Sequence, residues 1–355
     1  MLSLSALGWT PRRADAFAPY AARGLVPGRV GVAYGATYRV FLDGAETLAD
    51  VTGRMRHEAR SRRDLPAVGD WVAVRRGAAS ERPTIQAILP RTSVFSRKVA
   101  GQETVEQILA ANVDTAFLVG GLDDDFNLRR IERFLAMTWE SGAAPVVVLN
   151  KADLVDDPEA FRREVQQVAI GVPVHVISCK RADGLDELAP YLQAGLTIAL
   201  LGSSGVGKST LINRLIGHER QRTRDVREKD SRGRHTTTHR ELVPVRGGAI
   251  LVDSPGMREL QLWEAADGVQ ETFDDIRALA ADCYFRDCRH ESEPRCAVKA
   301  AVDEGRLGAD RLTNYLKIQR ELDHLANRQD ALAQQEEKRK LRVVHRRARK
   351  HTPRT

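Results

Sequence analysis

Residues 202–209 read Gly-Ser-Ser-Gly-Val-Gly-Lys-Ser, set between the apolar run LTIALL and the helix-like TLINRLI. Strand, glycine-rich turn and helix start, in that order, form a cradle for a phosphate chain. Gly202, Gly205 and Gly207 let the backbone through Ser203, Ser204 and Val206 turn its N–H groups inward, and the helix N-terminus adds its dipole. Lys208 is long enough to reach the outer phosphates and to stabilise charge there, the hydroxyl of Ser209 suits Mg²⁺, and Thr210 continues the first helical turn behind them. These residue types at this spacing bind phosphates and support phosphoryl transfer.

A second set can read a base. Asn150-Lys151-Ala152-Asp153 closes the run APVVVL. The carboxylate of Asp153 can accept from both N1–H and the 2-amino group of guanine. Adenine offers neither donor, and a carboxylate left without partners costs about 1–3 kcal/mol or more. Asn150 would brace the loop and the base edge, with the stem of Lys151 along the ring. Ser178-Cys179-Lys180 follows VPVHVI and resembles the Ser-Ala-Lys loop that meets the guanine carbonyl through its backbone. Cys179 stands where Ala is usual and reads as a small buried residue without chemistry of its own.

Asp253-Ser254-Pro255-Gly256, after GAILV, supplies Asp253 for a Mg²⁺ shell and the Gly256 N–H for a γ-phosphate. Upstream, Gly233-Arg234-His235-Thr236-Thr237-Thr238 offers three threonines to a switch closing on Mg²⁺. The spacing does not choose among them, and Thr237 is carried forward as the candidate ligand. Met257 occupies the position where many GTPases place a glutamine that orients water. Methionine cannot do so, and slow unaided hydrolysis is expected, with His235 the internal candidate for the missing group.

The base motif precedes the phosphate loop, the reverse of the usual order. The runs DTAFLVG, APVVVLN, VPVHVIS, LTIALLG, ELVPV and GAILVDS mostly alternate with helical stretches, so a largely parallel sheet covered by helices is expected. A circular permutation keeps such a fold when the old termini lie close together and new ends open at the surface. Before it, RVGVAYG, TYRVFL, DWVAV and TIQAIL are short alternating runs parted by Gly, Asp and Pro, which predict a small β-barrel, OB-fold or SH3-like. The expected divisions are 1–97 for the barrel, 98–270 for the permuted GTPase domain, 271–335 for a helical metal-binding domain and 336–355 for a basic tail.

Cys283, Cys288, His290 and Cys296 give C-x₄-C-x-H-x₅-C, enough to fill the tetrahedral shell of one structural Zn²⁺. The tail holds nine Lys or Arg against two Glu, and the rest of the 355 residues balance at 46 against 46. With the arginine clusters at 54–63 and 220–235, three basic segments point to a polyanionic partner. No apolar run nears the roughly 20 residues that span a bilayer, and crowded cysteines in a chain 42% hydrophobic suit a reducing compartment. A cytoplasmic monomer without membrane contact is expected.

The permuted order, the strings GRHTTTH and DSPGM, a barrel containing PAVGDWV and the later Cys/His cluster together resemble the ribosome small-subunit-dependent GTPase A family, RsgA or YjeQ, over roughly 28–330. The resemblance implies that the barrel is an OB-fold touching ribosomal RNA, that the protein hydrolyses GTP with Mg²⁺ during late maturation of the small ribosomal subunit, and that His235 serves hydrolysis. Two other classes share part of the pattern. A P-loop kinase would use Lys208 and Ser209 but has no need of Asp153, and an RNA-binding adaptor would need barrel, metal domain and tail without turnover.

Overall fold

A computed structural model describes residues 2–77, 81–99, 105–217, 240–254, 257 and 266–324. The chain divides into two compact units, residues 1–261 with 267–274, and residues 262–266 with 275–355.

The first unit opens with α1 (Pro11–Ala21), capped by the Thr10 side chain and started by a proline at the first position, where no N–H is missed. Five strands follow: β1 (Val26–Tyr34), β2 (Thr37–Leu42), β3 (Ala45–Val51), β4 (Trp71–Arg75) and β5 (Thr84–Ile88), with α2 (Gly53–Glu58) between β3 and β4. Their order is β1-β2-β3-β5-β4, and β4 pairs back to β1. The parallel β3–β5 pair among antiparallel neighbours closes a Greek-key barrel of OB type. Val30, Val40, Val72, Val74 and Ile85 fill it. β1 can bend around this small core because Gly28 carries no side chain: a Cβ there would stand 2.5 Å from Val40.

β6 (Val94–Val99) pairs antiparallel with β7 (Val105–Ala111) as a separate two-stranded sheet before the α/β core. The strands of that core are β8 (Thr115–Gly121), β9 (Ala144–Asn150), β10 (Val174–Val176), β11 (Thr197–Leu201), β12 (Glu241–Pro244) and β13 (Ile250–Asp253). The spatial order is β10-β9-β8-β11-β13-β12, parallel except for β12. Along β8 the side chains alternate between two cores. Ala116 and Leu118 join Ile131 and Leu135 of α3 (Leu128–Ser141) and Val165 of α4 (Pro158–Val168). Phe117 and Val119 join Leu211, Ile212 and Leu215 of α5 (Lys208–Ile216) on the other face. A doubly covered parallel sheet explains why these strands read as near-continuous apolar runs. The expected barrel, permuted α/β core and six core strands are all present.

Barrel and core share one sheet, since Val32 of β1 pairs with Glu241 of β12. Arg29 fastens the junction from inside. Fully buried, it donates to the carbonyls of Leu7, Gly69 (3.3 Å) and Asn112 (3.3 Å) and to Thr197 Oγ1 of β11 (2.8 Å), with its guanidinium 5.3 Å from the Trp71 ring centroid. Burial, and then the charge of Arg13, draw its pKa down to about 9, so it stays a cation at neutral pH.

The second unit contains α7 (Asp274–Ala280, whose first residue belongs to the first unit), α8 (Ala297–Asp303) and a helical stretch over 309–324; α6 (Ala266–Thr272) precedes them and all but its first residue lies in the first unit. Arg311 forms a two-pronged ion pair with Asp275, both bonds at 2.7 Å. Leu312 and Ile318 of the long helical stretch are buried, and Leu316 and Leu322 are half-buried.

Replacing Arg29 by Met keeps the bulk but orphans buried carbonyls of three segments. Arg29→Met is expected to cost about 3 kcal/mol or more, read as a lowered urea midpoint for the first unit. An unchanged midpoint would show that the junction does not rest on this side chain.

Candidate functional site

Parallel strands bring their C-terminal ends to one edge, where open α/β sheets bind ligands. β8, β9, β10, β11 and β13 all end there, so the expected motifs converge although 50 residues separate Asn150 from Leu200 in sequence.

The phosphate loop joins β11 to α5. Gly207 caps α5 at φ 98°, a left-handed conformation that only glycine adopts cheaply, and a Cβ on it would meet Asn150 Nδ2 at 2.1 Å. Gly202 is equally confined, with a virtual Cβ 2.4 Å from the Val119 carbonyl. Lys208 is buried, and its Nζ donates to the Gly202 carbonyl at 2.6 Å and to that of Ser203. Ser209 and Thr210 follow in the first turn of α5, while Ser204 and Gly205 are exposed.

Asn150 ties this loop to the base motifs. Its Nδ2 donates to the Val206 carbonyl at 2.8 Å, and its Oδ1 accepts from the Cys179 N–H at 3.0 Å. Ser178 Oγ donates to Asp153 Oδ1 at 2.6 Å and accepts from the Arg181 N–H. That bond, supported by the charges of Lys180 and Arg181, holds Asp153 below the usual carboxylate range, so it is an ionised acceptor at neutral pH. Cys179 packs beside Leu188 and Ile212, and burial pushes its thiol up to about 12. Lys180 is exposed, and its carbonyl and that of Cys179 accept from Arg214 of α5.

The loop after β8 contributes groups the motif reading did not include. Asp123 pairs with Lys151 Nζ, and Asp125 and Arg130 both hydrogen-bond Ser203. The signal was the acidic run LDDDFN at a strand end, which by itself looks like any solvated turn.

Asp253 ends β13, next to β11, with Ser254 buried after it. The Met257 side chain is buried in the apolar core that includes Leu118 and Ile131. His235, Thr236, Thr237, Thr238, Gly256, the 220–235 arginine cluster and the basic tail lie outside the described residues.

In the second unit the ligand atoms of Cys283, Cys288, His290 and Cys296 all lie within 4.8 Å of one another. The separations are 3.9 Å for Cys283 Sγ to Cys296 Sγ, and 3.7 and 3.3 Å from His290 Nδ1 to the same two sulfurs. Metal–sulfur bonds near 2.3 Å and metal–nitrogen bonds near 2.0–2.1 Å put tetrahedral ligands about 3.8 and 3.6 Å apart, so the cluster fits one small cation. Burial works to raise the Cys283 thiol, but the N–H groups of Val298 and Ala297 at the start of α8 and the neighbouring thiols outweigh it and lower its pKa. Burial lowers His290, which favours the neutral, ligating imidazole.

Comparison with known proteins places this geometry. The RsgA GTPase family model matches residues 88–263, and a model described as 50S ribosome-binding GTPase matches 197–340. The chain is 47% identical, over 97% of its length and 96% of the relative's, to the small ribosomal subunit biogenesis GTPase RsgA of Opitutus terrae. With the protein of that name from Streptomyces coelicolor it shares 46% identity over 94% of this chain and 90% of the relative. Among solved structures it resembles YjeQ from Thermotoga maritima (27% identity, TM-score 0.63, 84% of this chain and 98% of that one). It also resembles YloQ, a circularly permuted GTPase (26% identity, TM-score 0.61, 84% and 96%).

Metal analysis of the purified protein is expected to find about one tightly held divalent ion per chain. Cys288→Ser is expected to lose it and to lower the melting temperature of the second unit, while guanine nucleotide still binds. Protein purified without chelator and free of metal would contradict the cluster.

Proposed function

The chain belongs to the RsgA GTPase family and is a GTPase, and from that premise we propose that it serves late maturation of the small ribosomal subunit, binding ribosomal RNA and hydrolysing GTP when the subunit is engaged. The observation that carries the reading is the pair of hydrogen bonds by which Asn150 donates to the Val206 carbonyl and accepts from the Cys179 N–H. Through them the loop suited to a phosphate chain and the loop suited to a guanine edge form one rigid receptor.

In this reading Asp153 accepts from the guanine N1–H and 2-amino groups: Ser178 takes one lone pair of Oδ1 and keeps the group ionised, and each carboxylate oxygen still has an acceptor site for the base. Lys151, steadied by Asp123, lies along the base, and the backbone at Ser178, Cys179 and Lys180 faces the guanine carbonyl. The N–H groups of residues 203–210 wrap the phosphates, and Lys208 moves part of its hydrogen bonding from its own loop carbonyls to the β- and γ-phosphates. Ser209, Asp253 and Thr237 would hold Mg²⁺, which supplies charge neutralisation between the phosphates. Gly256 gives an N–H to the γ-phosphate. The buried side chain of Met257 supports assigning the water-orienting role to another group, and His235 is the residue we place in it. The Cys₃His cluster suits zinc, whose closed tetrahedral shell would fold a segment with little apolar surface of its own.

Among the described residues no helix is long and apolar enough to cross a membrane. The exposed arginines around α2 give the chain cationic surface for an RNA partner, the sequence adds the basic residues of 336–355, and we place the protein in the cytoplasm with that partner.

Phosphate release measured with small subunits, large subunits and free RNA tests the proposal. Small subunits are expected to accelerate hydrolysis at least about tenfold, a barrier reduction of roughly 1.4 kcal/mol. They should bind more tightly with a non-hydrolysable GTP analogue than with GDP. No stimulation, with equal binding in both nucleotide states, would favour a nucleotide-independent RNA adaptor instead.

A further inference from the structure

The first half of the phosphate loop is gripped from outside the nucleotide motifs. Arg130 Nη1 donates to Ser203 Oγ at 2.8 Å and to Asp125 Oδ2 at 2.6 Å, and Ser203 Oγ donates to the same carboxylate oxygen, closing a three-membered ring of hydrogen bonds. Arg130 is itself set in the first turn of α3, where its N–H donates to the N-cap Asn127 at 3.0 Å. The carbonyl of the same Ser203 accepts from Lys208 Nζ. One residue therefore connects the side chains of the β8–α3 segment with the lysine that the reaction needs.

The loop requires such support. Gly202, Gly205 and Gly207 all stand at positive φ, so its backbone has little stiffness of its own. Asn150 secures the second half at Val206, whereas Ser203 is the side-chain anchor in the first. The Arg130–Asp125 side chains are 35% and 38% exposed, and an ion pair that open to water adds little to global stability. Its consequence is local geometry.

We propose that Arg130 and Asp125 are positioning residues for GTP binding and hydrolysis. They hold Ser203 so that the carbonyls of Gly202 and Ser203 keep Lys208 aimed for the β- and γ-phosphates, and they act through Ser203 and Lys208 without touching the nucleotide. This rests on the reading of residues 202–209 as the GTP phosphate site.

The test compares GDP and GTP-analogue affinity, kcat, KM and melting temperature for the full chain and for Ser203→Ala, Arg130→Gln, Arg130→Lys and the Ser203→Ala/Arg130→Gln double variant. Each of the first two single changes is expected to weaken nucleotide affinity about 5- to 20-fold, the effect of losing a charge-assisted hydrogen bond. The double variant should be no more than about twofold weaker than the worse single one, because all three residues act through one anchor. Arg130→Lys, which keeps a cationic donor, should recover part of the affinity. Additive losses, or a lowered melting temperature with nucleotide affinity and kcat unchanged, would overturn the proposal while leaving the GTP site intact. Wild-type protein that bound no guanine nucleotide would overturn both.

Discussion

The two hydrogen bonds of Asn150 are the constraint around which the nucleotide end of the molecule is organised. Its side-chain amide donates to the phosphate loop and accepts from the base loop, and it is buried, so neither bond competes with water. An amide fits both demands at once, since a carboxylate would present no donor to the Val206 carbonyl. The closeness of the arrangement also explains Gly207, where any side chain would displace the asparagine. Asp123 and Asp125, on one short loop, reinforce the same bridge from the other side by holding Lys151 and Ser203.

The spatial order of strands accounts for a working site in a permuted chain. The phosphate-loop strand β11 lies between β8 and β13, although β8, β9 and β10 come before it in sequence. Parallel pairing fixes which strand ends are neighbours, and the position of the chain break does not alter them. What the permutation changes is chain order, because in sequence Asp253 now precedes the unit that holds the Cys₃His cluster. At the opposite edge β12 pairs with β1, and Arg29 fills the buried space where barrel, N-terminal segment and β11 meet.

The parts legible in sequence were those whose physics is local. A glycine-rich turn between strand and helix, a carboxylate three residues after an asparagine at a strand end, and four ligands within 14 residues all carry their meaning in their spacing. Barrel closure was legible only as a class, because alternation does not say which strand returns to which. β3, with sequence AETLADV, has few β-branched residues and is a strand because β2 and β5 pair with it on either side. Arg29 reads as a surface charge and is buried by groups from residues 7, 69, 112 and 197. Arg130 and Asp125 look like helix-start charges, and only the fold brings Ser203 to them.

One asparagine makes the base loop and the phosphate loop a single receptor. The affinity of Asn150→Ala for GDP and for inosine diphosphate, which keeps both phosphates and lacks the 2-amino group, measures that coupling. Inosine diphosphate binding is expected to fall by about tenfold or more, and the preference for GDP over it to shrink as well, since both loops lose their brace. If only the preference changed, or only the common affinity, the two loops would be independent sites and Asn150 would not join them.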